Sequence, residues 1–264
     1  MELDPKTKTF IVAHRGASYK APENTIPSFQ LAFKEDADFI EGDFWLTKDN
    51  EIVCIHDQET SRVTAGRKKL DVRKSTLSEL KRLDAGSWKS EEYKGVTIPT
   101  LDEIFQVIPE GRGIYIEIKD FREIFVKKLA ETIEEKSVPP ELIRIITFDR
   151  ETVRFAGKYL PSIKTYWLFS WYSSKIYWIN SFAQKKIIRT VETLNCGGID
   201  VNAAPYVDNR LAELFKEKKM DLCAYDVSDV DEAVRLINLG VHAITTDSPL
   251  NIRKGIKKQI ILSK

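Results

Sequence analysis

The stretch Phe39-Ile40-Glu41-Gly42-Asp43-Phe44 places two carboxylates inside an apolar run of the length of one β-strand. Alternate residues of a strand share a face, so Glu41 and Asp43 point to one side and their neighbours point to the other. Ionised groups are costly in a dry interior unless they are compensated. This stretch therefore predicts a buried strand that carries a polar site.

Seven more strand-length apolar runs recur along the chain, with amphipathic segments between them. Strands that alternate with helices pair in parallel, because a crossover helix joins parallel neighbours. The length of 264 residues suits an α/β protein with the TIM (β/α)8 barrel fold, which typically needs ~250 residues. The eight predicted strands are Phe10–Ala13, Phe39–Phe44, Ile114–Ile118, Ile143–Phe148, Lys164–Phe169, Gly198–Val201, Leu222–Val227 and Ala243–Thr246.

One region breaks this alternation. Residues 44–57 read as a β-hairpin that turns at Asp49-Asn50 and extends the second strand. A two-residue turn would place His56 opposite Asp43, over the acidic strand. Residues from about 58 to 99 then form an insertion that lacks the alternation of strands and helices. The insertion is mostly polar and contains a basic run at 67–69. We expect a single domain over residues 1–264 with this hairpin and this insertion.

The composition argues against several classes of protein. Lys and Arg total 41 and Asp and Glu total 40, so a net charge of +1 provides no overall field for nucleic acid or an anionic membrane. Three cysteines without a CxxC spacing argue against a disulfide framework or a zinc site. No apolar run approaches the ~18 residues of a bilayer span, and the charged N-terminus does not resemble a signal peptide. We expect a cytoplasmic protein.

Polar side chains cluster at the C-terminal ends of the predicted strands, where the active sites of TIM barrels lie. Glu117 and Lys119, like Glu41 and Asp43, are two residues apart and share a face. Three carboxylates and one ammonium leave a negative charge that a divalent cation would cancel, and all-oxygen ligation suits Mg²⁺ or Ca²⁺. We predict this metal site; the alternative is a buried salt-bridge network in which Lys119 neutralises one acid.

Two of the three histidines fit acid–base chemistry. His14 and Arg15 follow the first strand; the arginine offers a planar fork for phosphate, and the histidine can transfer protons near neutral pH. His56 ends the hairpin, beside Asp43. One histidine can deprotonate an attacking hydroxyl while the other protonates a leaving alkoxide, which indicates a phosphodiester site. We expect His242, at the bottom of the barrel, to be solvated.

These residues lie in motifs that resemble those of the glycerophosphodiester phosphodiesterase family. The resemblance spans about Phe10 to Pro249, and the motifs come in the family's order. The matching stretches are His14–Ser18, Ala21–Thr25, Ile40–Asp43, Leu46–Asp49, Ile55–Asp57, Ile98–Glu103, Ile116–Lys119 and Ala243–Pro249.

The resemblance implies a TIM-type barrel that hydrolyses a small-molecule glycerophosphodiester to sn-glycerol 3-phosphate and an alcohol such as choline or ethanolamine. It implies that His14 and His56 are the acid–base pair and that Arg15 and Lys119 contact the phosphate. It also implies that the three carboxylates named above hold one divalent cation. Tyr225 and Asp226 stand where the family tends to have Trp-Thr, which puts in question how the glycerol or alcohol moiety fits.

Six aromatic residues crowd the stretch just past the fifth predicted strand. They form either a cluster buried under the next helix or an apolar lip for an acyl-bearing substrate. With the basic insertion, a lip would indicate a lysophospholipase D-type enzyme near a membrane surface. A non-enzymatic phosphate sensor is a third alternative, but none of the expected catalytic groups is missing. The aromatic residues are Trp167, Phe169, Trp171, Tyr172, Tyr177 and Trp178.

Overall fold

The part of the chain that the computed structural model describes, residues 9–171 and 181–262, forms a closed barrel of eight parallel strands surrounded by helices. The strands are β1 (Phe10–Ala13), β2 (Phe39–Leu46), β3 (Ile52–Cys54), β4 (Gly113–Ile118), β5 (Ile143–Thr147), β6 (Lys164–Phe169), β7 (Gly198–Asn202), β8 (Asp221–Tyr225) and β9 (Ala243–Thr246). The barrel closes because β1 pairs with both β2 and β9, while β3 pairs antiparallel with β2 outside the barrel. The predicted TIM (β/α)8 barrel is confirmed, and each predicted run matches one barrel strand to within two residues at either end.

Helices connect the strands on the outside of the barrel. Several begin at an aspartate whose side chain accepts the hydrogen bond of a backbone N–H in the first turn, as Asp149, Asp208 and Asp229 do. None of the helices that the structure describes is long and apolar enough to cross a membrane. The helices are α1 (Ile26–Lys34), α2 (Leu77–Leu80), α3 (Leu101–Phe105), α4 (Glu123–Lys136), α5 (Arg150–Tyr159), α6 (Ser181–Leu194), α7 (Asn209–Glu217), α8 (Val230–Asn238) and α9 (Pro249–Leu262).

The barrel interior is packed with apolar and aromatic side chains toward its N-terminal end. Phe39, Tyr115 and Tyr166 belong to this inner cluster and are almost fully buried. His242 lies at the same end, where its ring contacts Phe10 with centroids 5.2 Å apart. The expectation that His242 is solvated is therefore wrong, since its side chain is only 25% exposed. Because this end is filled, an active site can open only at the C-terminal ends of the strands.

The hairpin has a register that differs by one residue from the predicted one. Phe44 pairs with Cys54, and the N–H of Thr47 donates to the carbonyl of Glu51 at 2.9 Å. The turn thus contains three residues, of which Asn50 adopts a left-handed conformation with φ of 62°. Asparagine tolerates this conformation better than most residues, which is why the longer turn is stable here. Asp43 consequently lies opposite Ile55, and His56 follows one position later.

The segment predicted as a mostly polar insertion has a small apolar core of its own. Val63, Val72 and Leu80 are buried against Val53 and Ile55 of the hairpin. The segment also contains α2 and the short 3₁₀ turns Val72–Lys74 and Glu91–Tyr93. It therefore packs onto the hairpin that carries His56, although its limits and the single-domain organisation stay predictions.

The aromatic stretch after β6 is buried where the structure describes it. Trp171 is 4% exposed and belongs to the core between the barrel and the helices. Its ring lies 4.9 Å from Phe169 and 5.8 Å from Tyr206, measured between centroids. An exposed lip that includes Trp171 is therefore wrong. Tyr172, Tyr177 and Trp178 lie outside the described residues.

Candidate active site

A cavity of about 180 Å³ opens at the C-terminal ends of the barrel strands. The predicted site residues line it from three adjacent strands, β1, β2 and β4, and from the end of the hairpin. Six of the seven lie on the cavity wall, and Asp43 lies directly behind them, bonded to two of them. The six are His14, Arg15, Glu41, His56, Glu117 and Lys119.

Glu41, Asp43 and Glu117 form a compact carboxylate cluster because β2 and β4 pair in the register that sets Asp43 beside Glu117. Each residue offers one oxygen, and the three oxygens lie within 4.8 Å of one another. All three side chains are buried. Glu41 Oε1 has no hydrogen-bond partner among the described residues, which leaves this buried oxygen available to a cation.

Burial and mutual repulsion change the pKa values of the three carboxyl groups in this cluster. Burial and the neighbouring Asp43 raise the pKa of Glu41 to about 8 and that of Glu117 to about 7. Burial by itself would raise the pKa of Asp43, but Lys119 and Arg15 hold this pKa below its usual value. Without a bound cation the three groups are not all ionised at neutral pH. The cluster thus fits a divalent metal, whose charge would let all three carboxylates ionise.

Two cationic side chains adjoin the carboxylates. Arg15 Nε lies 3.1 Å from Asp43 Oδ2, and its Nη1 donates to Glu23 at 3.0 Å. Lys119 Nζ lies 2.7 Å from Glu117 Oε1 and 3.3 Å from Asp43 Oδ1. Both cations therefore reach the mouth of the cavity while remaining anchored to acids. This arrangement suits an anion that enters from the open side.

The backbone of the first loop holds Arg15 in place. Arg15 has a left-handed conformation with φ of 53°, and its N–H donates to Glu41 at 2.9 Å. Gly16 follows with φ of 83°, and a Cβ at Gly16 would lie 2.3 Å from Ser28 Oγ. Only glycine fits this position, because any side chain would collide with α1. The sequence His14-Arg15-Gly16 thereby turns both side chains onto the barrel mouth.

The two histidines of the cavity have different environments. His14 Nδ1 lies 2.7 Å from Asp247 Oδ1. Burial by itself would lower the pKa of His14, but this hydrogen bond and the charge of Glu41 raise it to about 9. His56 Nδ1 lies 2.6 Å from Asp57 Oδ1, and burial together with Lys119 lowers the pKa of His56. Each ring therefore has its Nδ1 bonded to an aspartate, and both histidines line the cavity.

Comparisons with known proteins agree with this geometry. A model of the glycerophosphoryl diester phosphodiesterase family matches residues 14–251. The chain belongs to this family. It is 32% identical over 255 residues to the glycerophosphodiester phosphodiesterase of Caldanaerobacter subterraneus subsp. tengcongensis, covering 95% of this chain and 99% of that protein. The glycerophosphodiester phosphodiesterase of Bacillus subtilis is 30% identical over 254 residues, covering 90% of this chain and 83% of that protein.

Solved structures of this family share the fold. A phosphodiesterase of Oleispira antarctica, in complex with the product sn-glycerol 3-phosphate, superimposes with a TM-score of 0.81 and 30% sequence identity. The match covers 94% of this chain and 96% of that one. The glycerophosphodiester phosphodiesterase of Agrobacterium tumefaciens has the same barrel, with a TM-score of 0.79 and 23% identity.

Several residues outside the predicted set support the site of this family member. Asp57 and Asp247 orient the two histidines, and Asn24 Nδ2 donates to Asp43 at 2.8 Å. Arg62 also supports the site. It donates to Asp57 at 2.6 Å and to both carboxylate oxygens of Glu23 at 2.8 and 3.0 Å. Arg62 stands in a polar loop and carries no local signal in the sequence.

Asp200 was overlooked in spite of a signal. It stands inside the apolar strand Gly198–Asn202, just as Glu41 and Asp43 stand inside theirs. It is buried and lines the same cavity from the side of the barrel away from β2. A buried carboxylate within a barrel strand is costly unless it is compensated, and this holds for Asp200 as it does for Glu41 and Asp43.

Proposed function

We propose that this protein hydrolyses glycerophosphodiesters to sn-glycerol 3-phosphate and an alcohol, and that it needs one divalent cation. The observation that carries the proposal is the convergence of a buried carboxylate cluster, two cations and two histidines on one cavity. The Oleispira relative, which holds sn-glycerol 3-phosphate as product, supports the substrate class. The cytoplasmic location stays a prediction.

The carboxylates of Glu41, Asp43 and Glu117 would hold the cation. When bound, Mg²⁺ or Ca²⁺ supplies positive charge that stabilises the negative charge developing on the phosphate oxygens. Arg15 and Lys119 contact the same phosphate from their anchored positions. Their role is to orient the phosphodiester and to share its charge.

The two histidines divide the proton transfers, because their surroundings move their acidities in opposite directions. His56, neutral at physiological pH, accepts the proton of the attacking hydroxyl on its Nε2. His14, protonated through its bond to Asp247, donates a proton to the oxygen of the leaving alcohol. With water as the attacking hydroxyl, the bond between phosphorus and the leaving oxygen breaks as the water oxygen bonds to phosphorus, which yields sn-glycerol 3-phosphate and the alcohol. With the substrate's own 2-hydroxyl, the same step yields the alcohol and a cyclic phosphate, which water then opens to sn-glycerol 3-phosphate.

The alternative substrate, a lysophospholipid, loses the aromatic part of its support where the structure describes it, whereas the basic run at 67–69 is exposed. Trp171, which would have formed part of an acyl-binding lip, is in the core. The non-enzymatic sensor has no support either, because the seven predicted site residues are brought together.

The decisive assay follows release of choline, the product common to both substrates, from glycerophosphocholine and in parallel from lysophosphatidylcholine; sn-glycerol 3-phosphate is identified as the second product of glycerophosphocholine. We expect turnover of the soluble diester with Mg²⁺ or Ca²⁺ and none after treatment with EDTA. Undiminished turnover in EDTA would refute the metal requirement. A higher kcat/KM for the lysophospholipid than for the soluble diester would restore the lysophospholipase D alternative.

A further inference from the structure

The half of the cavity wall that faces away from the carboxylate cluster has its own chemistry. It is built by β5 to β8 and their C-terminal ends, opposite the strands that carry the predicted site. It combines two apolar side chains, two aromatic rings and two carboxylates. Its residues are Ile146, Phe148, Leu168, Asp200, Tyr225 and Asp226.

Asp200 is the unexplained member of this wall. It is 1% exposed, and neither of its carboxylate oxygens has a hydrogen-bond partner among the described residues. Its register neighbours are Leu168 and Cys223, both apolar members of the inner cluster. A buried carboxyl without a partner is costly, so its presence on a cavity wall points to a ligand that satisfies it.

The charge balance indicates the kind of ligand. In the described part of the chain, no lysine or arginine forms an ion pair with Asp200 or Asp226, whereas Asp43 and Glu117 of the metal cluster are paired with Arg15 and Lys119. Burial, Glu117 and Asp226 raise the pKa of Asp200 to about 8, against a smaller opposing effect of His14. A positive charge on the substrate would pair with this carboxyl on the side of the cavity away from the carboxylate cluster.

The aromatic rings favour an organic cation. Phe148 and Tyr225 meet edge to face, with centroids 6.4 Å apart, at the rim of the same wall. An alkylammonium group gains both from ring faces and from a nearby carboxylate, whereas an uncharged hydroxyl gains little from the rings. Glycerol carries no charge, so a cationic group must belong to the alcohol that the reaction releases.

We propose that Asp200 determines specificity in this site by pairing with an alkylammonium group on the leaving alcohol, next to the rings of Phe148 and Tyr225. This inference rests on the proposed function and assigns to Asp200 the choice between cationic and uncharged leaving alcohols. Glycerophosphoethanolamine and glycerophosphocholine carry such a group, and glycerophosphoglycerol does not. The wild-type protein should therefore prefer the two cationic diesters in kcat/KM.

The test is Asp200→Asn, which keeps the shape of the side chain and removes its charge. We expect the ratio of kcat/KM for glycerophosphoethanolamine to that for glycerophosphoglycerol to fall by ~10-fold or more, as for loss of one partner of a buried charge pair. Asp231→Asn on the exposed side of α8 removes the same charge at a distance and should leave the ratio unchanged. An equal loss on both substrates would overturn the proposal, because it would show a structural role.

A second pair of variants keeps the proposal falsifiable if Asp200→Asn does not fold. Tyr225→Leu removes a ring and should lower the same ratio by ~3-fold or more, while Tyr225→Phe keeps the ring and should retain the ratio. If Tyr225→Leu and Tyr225→Phe showed the same ratio of kcat/KM for the two diesters, the proposed cation site would be overturned. A wild-type protein that cleaves both diesters without preference would also overturn it and leave the proposed function intact. A wild-type protein that cleaves neither diester would refute the proposed function and this inference with it.

Discussion

At the residue scale, the two histidines of the cavity should be equally indispensable although their protonation states differ. His14→Ala or His56→Ala is expected to lower kcat by roughly 10²-fold or more, since each removes one proton-transfer group. His242→Ala is the matched control, because this ring lies at the opposite end of the barrel against Phe10. Steady-state kinetics on glycerophosphocholine measures all three. A His56→Ala variant with near wild-type kcat would remove His56 from the mechanism.

The acidities of these histidines also predict the pH profile. The base must be unprotonated, so activity should fall as pH drops through the pKa of His56, which is lowered from its ordinary 6.5. The acid must be protonated, so activity should fall as pH rises through the pKa of His14, about 9. A bell-shaped dependence of kcat/KM is expected. Asp247→Asn should move the basic limb to lower pH, because it removes the carboxylate that stabilises the protonated ring; an unmoved limb would contradict the assignment.

At the scale of elements, the insertion packed on the hairpin supports the site through one side chain. Arg62 bonds Asp57, which orients His56, and Glu23, which anchors Arg15. Arg62→Ala should therefore lower kcat by ~10-fold, in the range found for residues that orient a site through its ligands. The measurement is kcat together with the melting temperature, so that lost orientation is separated from lost folding.

Arg67→Ala provides the control within the same insertion. Arg67 donates to Ser87 Oγ at 3.0 Å and does not line the catalytic cavity. Its removal should leave kcat unchanged. If Arg67→Ala reduced kcat as much as Arg62→Ala, the effect would belong to the insertion as a whole and not to the bonds of Arg62.

At the scale of the whole molecule, the carboxylate cluster couples folding to metal and to pH. The pKa values of Glu41 and Glu117 in the folded protein, about 8 and about 7, exceed their ordinary value of 4.5. Without metal, the folded state binds more protons than the unfolded state at pH values from about 4.5 to about 8. Its stability must therefore fall as pH rises from about 4.5 to about 8.

A divalent cation should reverse this trend, because it replaces the protons that the cluster would otherwise bind. At a metal concentration of about 100 times Kd the gain is roughly 3 kcal/mol, which corresponds to a rise of several degrees in Tm. Thermal unfolding with Mg²⁺, with Ca²⁺ and with EDTA, at pH 6 and at pH 8, measures it. The rise should be larger at pH 8 and should be lost in Glu41→Gln; a rise retained in that variant would place the metal elsewhere.

The sequence by itself determined the barrel and most of the candidate site. Eight strand-length apolar runs alternate with amphipathic segments. Parallel strands joined by crossover helices are buried on both faces and give this pattern. Glu41, Asp43 and Glu117 were predictable because a carboxylate in such a run is costly unless a partner or a ligand compensates it, and Lys119 follows directly after its run. Asp200 was predictable on the same ground.

The tertiary structure alone decided which groups support and tune that site. Asp247 meets His14 across 233 positions of the sequence, and Arg62 meets Glu23 across 39. Such pairs leave no periodic pattern, because they arise from loops that converge only when the barrel closes. The hairpin register was likewise decided by Asn50, whose left-handed backbone allowed a turn one residue longer than the local sequence suggested. Local periodicity determines which face a side chain occupies, whereas loop geometry determines what that side chain meets.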